Sequence, residues 1–152
     1  MSALRRVAVI DCGTNTFNLR IVDVGAAAGW IPVFGQRIPV RLGQGGVAKG
    51  VIRPDRMARG LDALVSMREI LRNYKADEVH VLATSALRGA KNGPEFVDEA
   101  RRLSGLEVQI ISGPHEARLI QEGIALNVNC LLYTSDAADD TPCVDLGGRR
   151  II

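Results

Sequence analysis

Three short stretches of this 152-residue chain carry side chains that could act on a charged ligand. The first is Asp11-Cys-Gly-Thr-Asn-Thr16, which follows the apolar run Val7-Ala-Val-Ile10. Asp11 could hold a metal-bound water. Gly13 permits a tight reversal and lets a ligand approach the backbone closely. Thr14, Asn15 and Thr16 add hydroxyl and amide groups beside exposed backbone N–H groups, and donors so clustered can converge on an anion such as phosphate. The same residues also make an ordinary β-turn, in which asparagine and glycine serve geometry alone. The second stretch, Ala83-Thr-Ser-Ala-Leu-Arg-Gly-Ala-Lys-Asn92, sets hydroxyls and cations behind another apolar run. The third, Ser112-Gly-Pro-His-Glu116, puts a carboxylate in what reads as the first turn of a helix. A helix dipole favours negative charge there even when the residue has no chemistry to do.

These stretches need elements to hold them. Residues 7–10 read as a strand buried on both faces, because four apolar residues run without polar alternation. A second strand over residues 17–24 would make the first stretch a hairpin turn. Residues 30–42 alternate loosely and predict a third strand, antiparallel to the second and interrupted near Pro32 or Gly35. Residues 42–50 form a glycine-rich loop without the Gly-Lys-Ser/Thr ending of a P-loop, read as a mobile lid or connector in which Arg41 and Lys49 are candidate anion contacts. Pro54 opens a helix whose Met57, Leu61, Leu64, Val65, Met67 and Leu71 recur at three- and four-residue spacing to about Tyr74. A buried strand over 79–83 follows, then a helix from Asn92 through Leu103, a short strand at 108–111, and a helix that Ser112 could cap. Strands alternating with helices make an α/β domain with an antiparallel hairpin edge and parallel crossovers. Ligands collect at the carboxyl ends of strands in such sheets, where all three stretches fall.

Composition narrows the function. A hydrophobic content of 47% supports one ordinary core. A net charge of +2 is too small to point to nucleic acid. No apolar run reaches transmembrane length, so a cytoplasmic protein without a membrane partner is expected. Cys12, Cys130 and Cys143 are odd in number and irregularly spaced, which suggests neither a disulfide framework nor a zinc site. His80 and His115 are far apart and supply no ligand pattern.

Together, the blocks Ile10-Asp-Cys-Gly-Thr-Asn-Thr-Phe-Asn18, Ala83-Thr-Ser-Ala-Leu-Arg88 with Asn92-Gly93, and Ile111-Ser-Gly-Pro-His-Glu-Ala-Arg-Leu-Ile120 with Gly123 resemble the exopolyphosphatase and guanosine pentaphosphate phosphatase family. Val40-Arg-Leu-Gly-Gln-Gly45 is similar to the family's loop after the third strand. The resemblance covers roughly residues 5–128. It implies an actin-like, ribonuclease-H-like fold, here truncated, and hydrolysis of the terminal phosphate of polyphosphate or guanosine pentaphosphate, with magnesium as cofactor. By the same resemblance Glu116 is the catalytic base that takes a proton from the attacking water. Gly13, Thr14, Asn15 and Thr16 are the first phosphate loop, Asp11 organises the metal, and Arg88 contacts phosphate, where a planar guanidinium suits a pair of phosphoryl oxygens. A homodimer is implied for the intact protein. Two positions depart from the pattern. Cys12 replaces a commoner aliphatic residue, and Pro114-His115 stands where acidic residues are frequent, leaving Glu116 as the carboxylate of that turn.

After Asn129 the sequence changes character. Cys130-Leu-Leu-Tyr-Thr-Ser-Asp-Ala-Ala-Asp-Asp140 and Cys143-Val-Asp-Leu-Gly-Gly-Arg-Arg-Ile-Ile152 resemble the translation of a transposase-type sequencing adapter. Residues 1–129 therefore read as an incomplete actin-like domain and residues 130–152 as an artefactual tail. Val144-Asp-Leu-Gly-Gly148 imitates a second phosphate loop of the family but breaks off before a third glycine or a serine. Setting the tail aside removes four aspartates and two arginines and raises the net charge from +2 to +4, which suits a polyanion. A chain carrying only this domain is expected to bind phosphate weakly and turn over little or not at all. Two other classes share the hairpin: an actin-like ATP-binding kinase module, which would prefer adenosine nucleotides, and a regulator that binds guanosine alarmones without hydrolysis.

Overall fold

The computed structural model describes residues 4–25, 29–46 and 49–134, with side chains up to residue 123. Its described elements run β1 (Arg5–Cys12), β2 (Thr16–Gly25), β3 (Gly29–Pro39), α1 (Pro54–Tyr74), β4 (Glu78–Ala83), α2 (Ser85–Gly89), α3 (Gly93–Ser104), β5 (Val108–Ile110) and α4 (Gly113–Thr134). The chain divides into two units, residues 1–112 and 113–152.

The first unit is built on one mixed sheet in the order β3-β2-β1-β4-β5. β1 and β2 form an antiparallel hairpin that pairs Asp11 with Asn18 and Cys12 with Phe17. β4 lies parallel to β1, and β5 parallel to β4. The expected break in β3 is present. Ile21 pairs with Phe34 but Val22 pairs with Pro32, so Val33 is skipped. Proline has no N–H to give a ladder, and an edge strand with an irregularity tolerates it.

Burial corrects the reading of residues 7–10. Ala8, Ile10 and Cys12 are buried, whereas Val7 and Val9 are only partly so and Asp11 is exposed. The strand alternates after all. Within the first unit α1 and α3 supply the core of one face, and on the other face Arg20, Val9 and His80 stand side by side across three strands. Valine and isoleucine fill both faces because they favour extended backbone, not because both faces are covered.

On the core face α1 buries Met57, Leu61, Leu64, Met67 and Leu71, the stripe its spacing predicts. It ends at Lys75, in the left-handed conformation, whose N–H caps the carbonyls of Arg72 and Leu71. Phe17 of β2 meets Phe96 of α3 edge to face, with ring centroids 6.3 Å apart and planes at 85°, a favoured aromatic geometry. Both rings are fully buried. The short helix α2 was not expected. The sequence assigns no helix between the strand at 79–83 and Asn92, but Arg88 N–H donates to the Thr84 carbonyl and closes one helical turn.

The second unit contributes α4, which begins one residue after Ser112 and runs through Thr134, past the change in character at Asn129. Residues 135–152, with Val144-Asp-Leu-Gly-Gly148 and most of the adapter-like tail, lie outside the described residues. Among the described residues no helix is long and apolar enough to cross a membrane.

Candidate functional site

The carboxyl ends of β1, β4 and β5 are stitched to one another by backbone. Thr84 N–H donates to the Cys12 carbonyl at 3.4 Å, and Ile111 N–H to the Ala83 carbonyl at 3.0 Å. The parallel registers therefore continue into the loops and bring two of the three chemistry-bearing stretches together with the start of the third. The Thr14 and Ser85 hydroxyls lie 2.8 Å apart, in hydrogen-bond contact across 71 residues of sequence.

Gly13 makes the first turn possible through space. Its N–H donates to the Thr16 carbonyl at 3.2 Å, and a Cβ added at Gly13 would stand 2.9 Å from that same oxygen. Any side chain would force the turn open.

The loop after β3 forms the second wall. Val40 and Arg41 N–H groups both donate to the Asn15 carbonyl at 2.9 Å, and Gly43 N–H donates to the Thr14 carbonyl at 3.3 Å. At its far end, Asn92 clamps Ile52 from both sides. Its Oδ1 accepts from Ile52 N–H at 2.8 Å, and its Nδ2 donates to the Ile52 carbonyl at 2.9 Å. Lys91 N–H adds a bond to the Gly50 carbonyl at 2.8 Å. The described residues of this loop are thus fastened at both ends. Between the turn and the loop lies an open cleft of about 620 Å³, lined by Thr14, Asn15, Thr16, Pro39, Arg41, Gly43 and Gln44.

Asp11 sits at the mouth of the hairpin on the sheet face away from the core. Its Oδ2 accepts from Asn18 Nδ2 at 3.3 Å, and Asn18 Oδ1 in turn accepts from Arg37 Nε at 3.0 Å. This ladder follows the cross-strand register Asp11–Asn18–Arg37. Among the described residues no three His, Cys, Asp or Glu side chains gather as a metal cage. One carboxylate braced by an amide does not fit tetrahedral zinc. It does fit magnesium, which keeps much of its water and shares substrate phosphate oxygens with one or two carboxylates. Neighbouring Cys12 points into the core. Burial pushes its thiol well above the usual range, with Asp11 adding to the effect, so it is no nucleophile.

Arg88 has a structural attachment. From α2 its Nη1 donates to the Ile111 carbonyl at 2.9 Å, tying that helix to the chain just beyond β5. Glu116 lies in the first turn of α4, as the sequence predicts, within the second unit. The structure therefore gathers Thr14, Asn15 and Thr16 around one cleft, with Gly13 shaping the turn that carries them, sets Asp11 beside the hairpin end, and links Arg88 to the loop after β5.

Sequence reasoning missed three pairings: Thr14 with Ser85, Asp11 with Asn18, and Asn92 with Ile52. Asn18 could have been found, since a hairpin closed over residues 13–16 sets Asn18 opposite Asp11. Nothing local pairs Ser85 with Thr14 or Asn92 with Ile52, since these contacts depend on parallel register and on a 40-residue return.

A sequence model of the Ppx/GppA phosphatase family matches residues 21–148, an interval that runs past Asn129. Solved structures agree. An exopolyphosphatase from Cytophaga hutchinsonii is 36% identical, covers 76% of this chain, and superposes with a TM-score of 0.73. A Ppx/GppA family member from Aquifex aeolicus is 28% identical over 76% of the chain, with a TM-score of 0.72. An exopolyphosphatase-like protein is 33% identical over 75% of the chain, with a TM-score of 0.71. This chain spans 36%, 38% and 34% of those three proteins, little more than a third of each. The mixed five-stranded sheet is their actin-like, ribonuclease-H-like fold, in a truncated form.

Proposed function

The chain belongs to the Ppx/GppA phosphatase family, and from that premise we propose that it carries a phosphate-binding part of a phosphoric anhydride hydrolase. Its substrate class is inorganic polyphosphate or guanosine pentaphosphate, whose terminal phosphate is released as orthophosphate. The observation that carries this reading is the cleft between the Gly13–Thr16 turn and the loop after β3, with Ser85 joined to Thr14 at its edge. Small neutral donors and open backbone N–H groups suit a polyanion, because they bind phosphate oxygens without neutralising a fixed carboxylate first.

In this mechanism Thr14, Asn15, Thr16 and the Gly13 turn grip the terminal phosphoryl group, and Arg88 supplies a guanidinium to its oxygens. Glu116 accepts a proton from water as the water oxygen bonds to phosphorus. The bridging P–O bond breaks on the opposite side, and the shortened polyphosphate leaves with the electron pair. Asp11, braced by Asn18, would hold magnesium through water; the ion, when bound, offsets the charge of the phosphate oxygens.

The test is orthophosphate release from polyphosphate and from guanosine pentaphosphate by the complete gene product. Glu116→Gln should abolish release while phosphate binding survives. Release at the unsubstituted rate would remove Glu116 from the role of base. The reading of residues 130–152 as adapter-derived is tested by the nucleotide sequence across codons 129–152, which should match an adapter in frame.

A further inference from the structure

Two residues other than glycine adopt positive φ among the described residues, Arg41 and Lys75, each at +52°. Lys75 has an ordinary reason: it closes α1 with a left-handed cap. Arg41 closes no helix. Its backbone turns so that the N–H groups of residues 40 and 41 can share the Asn15 carbonyl, and its own carbonyl then accepts from Gln44 N–H at 3.1 Å. Glycine or asparagine would make the same bends with less strain, since a left-handed residue with a Cβ costs about 1–2 kcal/mol. Burial does not compensate, because Arg41 is exposed. Nor does pairing, since the Arg41 side chain makes no ion pair or hydrogen bond among the described residues. It lines the cleft together with Thr14, Asn15 and Thr16.

We propose that Arg41 is a specificity-determining contact for the phosphates behind the terminal one, so that the cleft reads a linear polyphosphate chain and not a single phosphate. This rests on the phosphate reading of the cleft given above. Two features carry it further. A volume of about 620 Å³ is in the range that holds a ligand of several linked groups. The turn donors and Arg41 line the cleft from two different segments, the β1–β2 turn and the loop after β3, so a ligand that meets both spans the two. Backbone bonds from residues 40, 41 and 43 to Asn15 and Thr14 fix the main chain of Arg41 relative to the turn, so only the side chain must be ordered on binding.

The experiment measures binding of orthophosphate, tripolyphosphate and long-chain polyphosphate to the 152-residue chain at constant ionic strength, beside thermal melting. Arg41→Gly and Arg41→Asn should melt at or above the unsubstituted temperature, because each relieves the backbone. Both should bind tripolyphosphate and polyphosphate about tenfold more weakly, the scale of one lost charge-assisted hydrogen bond, with orthophosphate binding unchanged. Unchanged tripolyphosphate affinity in both variants overturns the inference and leaves the phosphate cleft standing. Equal loss for orthophosphate overturns it too, by making Arg41 a contact of the terminal group. No polyanion binding by the unsubstituted chain would remove the cleft as a phosphate site, and the inference with it.

Discussion

Where β1 begins, the Arg6 guanidinium holds both oxygens of Asp23 at 2.8 and 2.9 Å and donates to the Tyr74 carbonyl at 2.9 Å. The Arg6 N–H reaches Asp77 Oδ2 at 2.8 Å, and Arg5 pairs with Glu78 at 2.6 Å. One cluster thus joins β1 to β2, to the end of α1 and to the start of β4. Where β1 ends, the ligand-facing groups are of another kind: the neutral hydroxyls of Thr14 and Ser85, the turn at Gly13, and Arg41, with the charged ladder Asp11–Asn18–Arg37 set on the sheet face away from the core. The first end spends its charges on register. The second holds its geometry with backbone hydrogen bonds and side-chain amides, which leaves its side chains to a ligand. Substitution at the first end should therefore change stability and leave binding alone, whereas substitution at the second should reach binding as well, and that separation can be tested.

Gly13→Ala should have the largest effect. Its new Cβ would stand 2.9 Å from a backbone oxygen that cannot swing aside. Overpacking of this kind costs about 1–3 kcal/mol, read as a lower denaturation midpoint. Polyphosphate binding should fall more than tenfold, because the turn opens where the terminal phosphate is gripped. Retained affinity would show that the turn is a hairpin closure and no more. Asn92→Ala should be next. It leaves both the N–H and the carbonyl of Ile52 without their side-chain partner, at about 1–3 kcal/mol. Hydrogen exchange at the Ile52 amide should accelerate, with a smaller loss of polyphosphate affinity as the outer wall loosens. Unchanged exchange would mean that the loop is held by other contacts.

How much of this was legible from sequence divides along physical lines. Local rules place the helices well. The apolar stripe from Met57 to Leu71 and the proline at Pro54 set α1 within a residue of its ends. The Asp11–Thr16 turn was visible because glycine, asparagine and threonine signal reversal by their own chemistry. Two-sided burial of residues 7–10 was misread, since an apolar run cannot say whether a second layer covers it, and Asp11 and Val9 lie on the less covered face. The Asn92 clamp was unreadable because the bond is between a side chain and backbone 40 positions away. Arg41 could be suspected as a cation near glycines, but its left-handed backbone follows from β3 meeting the β1–β2 turn, a tertiary fact.

The smallest effect should come from the stability end, with its own signature in pH. The Arg6 hydrogen bonds, assisted by that guanidinium's charge, hold the Asp23 carboxyl below its ordinary value of 3.8, against a partial desolvation that acts the other way. A carboxylate whose pKa is lower folded than unfolded contributes stability above its unfolded value, and that contribution fades as pH falls through the folded one. Arg6 stays charged throughout, so Asp23 is the group that titrates. Asp23→Asn should therefore melt below the unsubstituted chain at pH 7, by a margin that narrows once pH passes under about 4 and closes as the depressed carboxyl protonates. Polyphosphate affinity at pH 7 should not change, because Asp23 lies at the opposite end of β2 from Thr16. A melting gap constant from pH 7 to pH 2 would show that the pair acts through packing instead of charge. A fall in polyphosphate affinity would show that the two ends are coupled through the length of the hairpin, and the separation of stability from binding would fail.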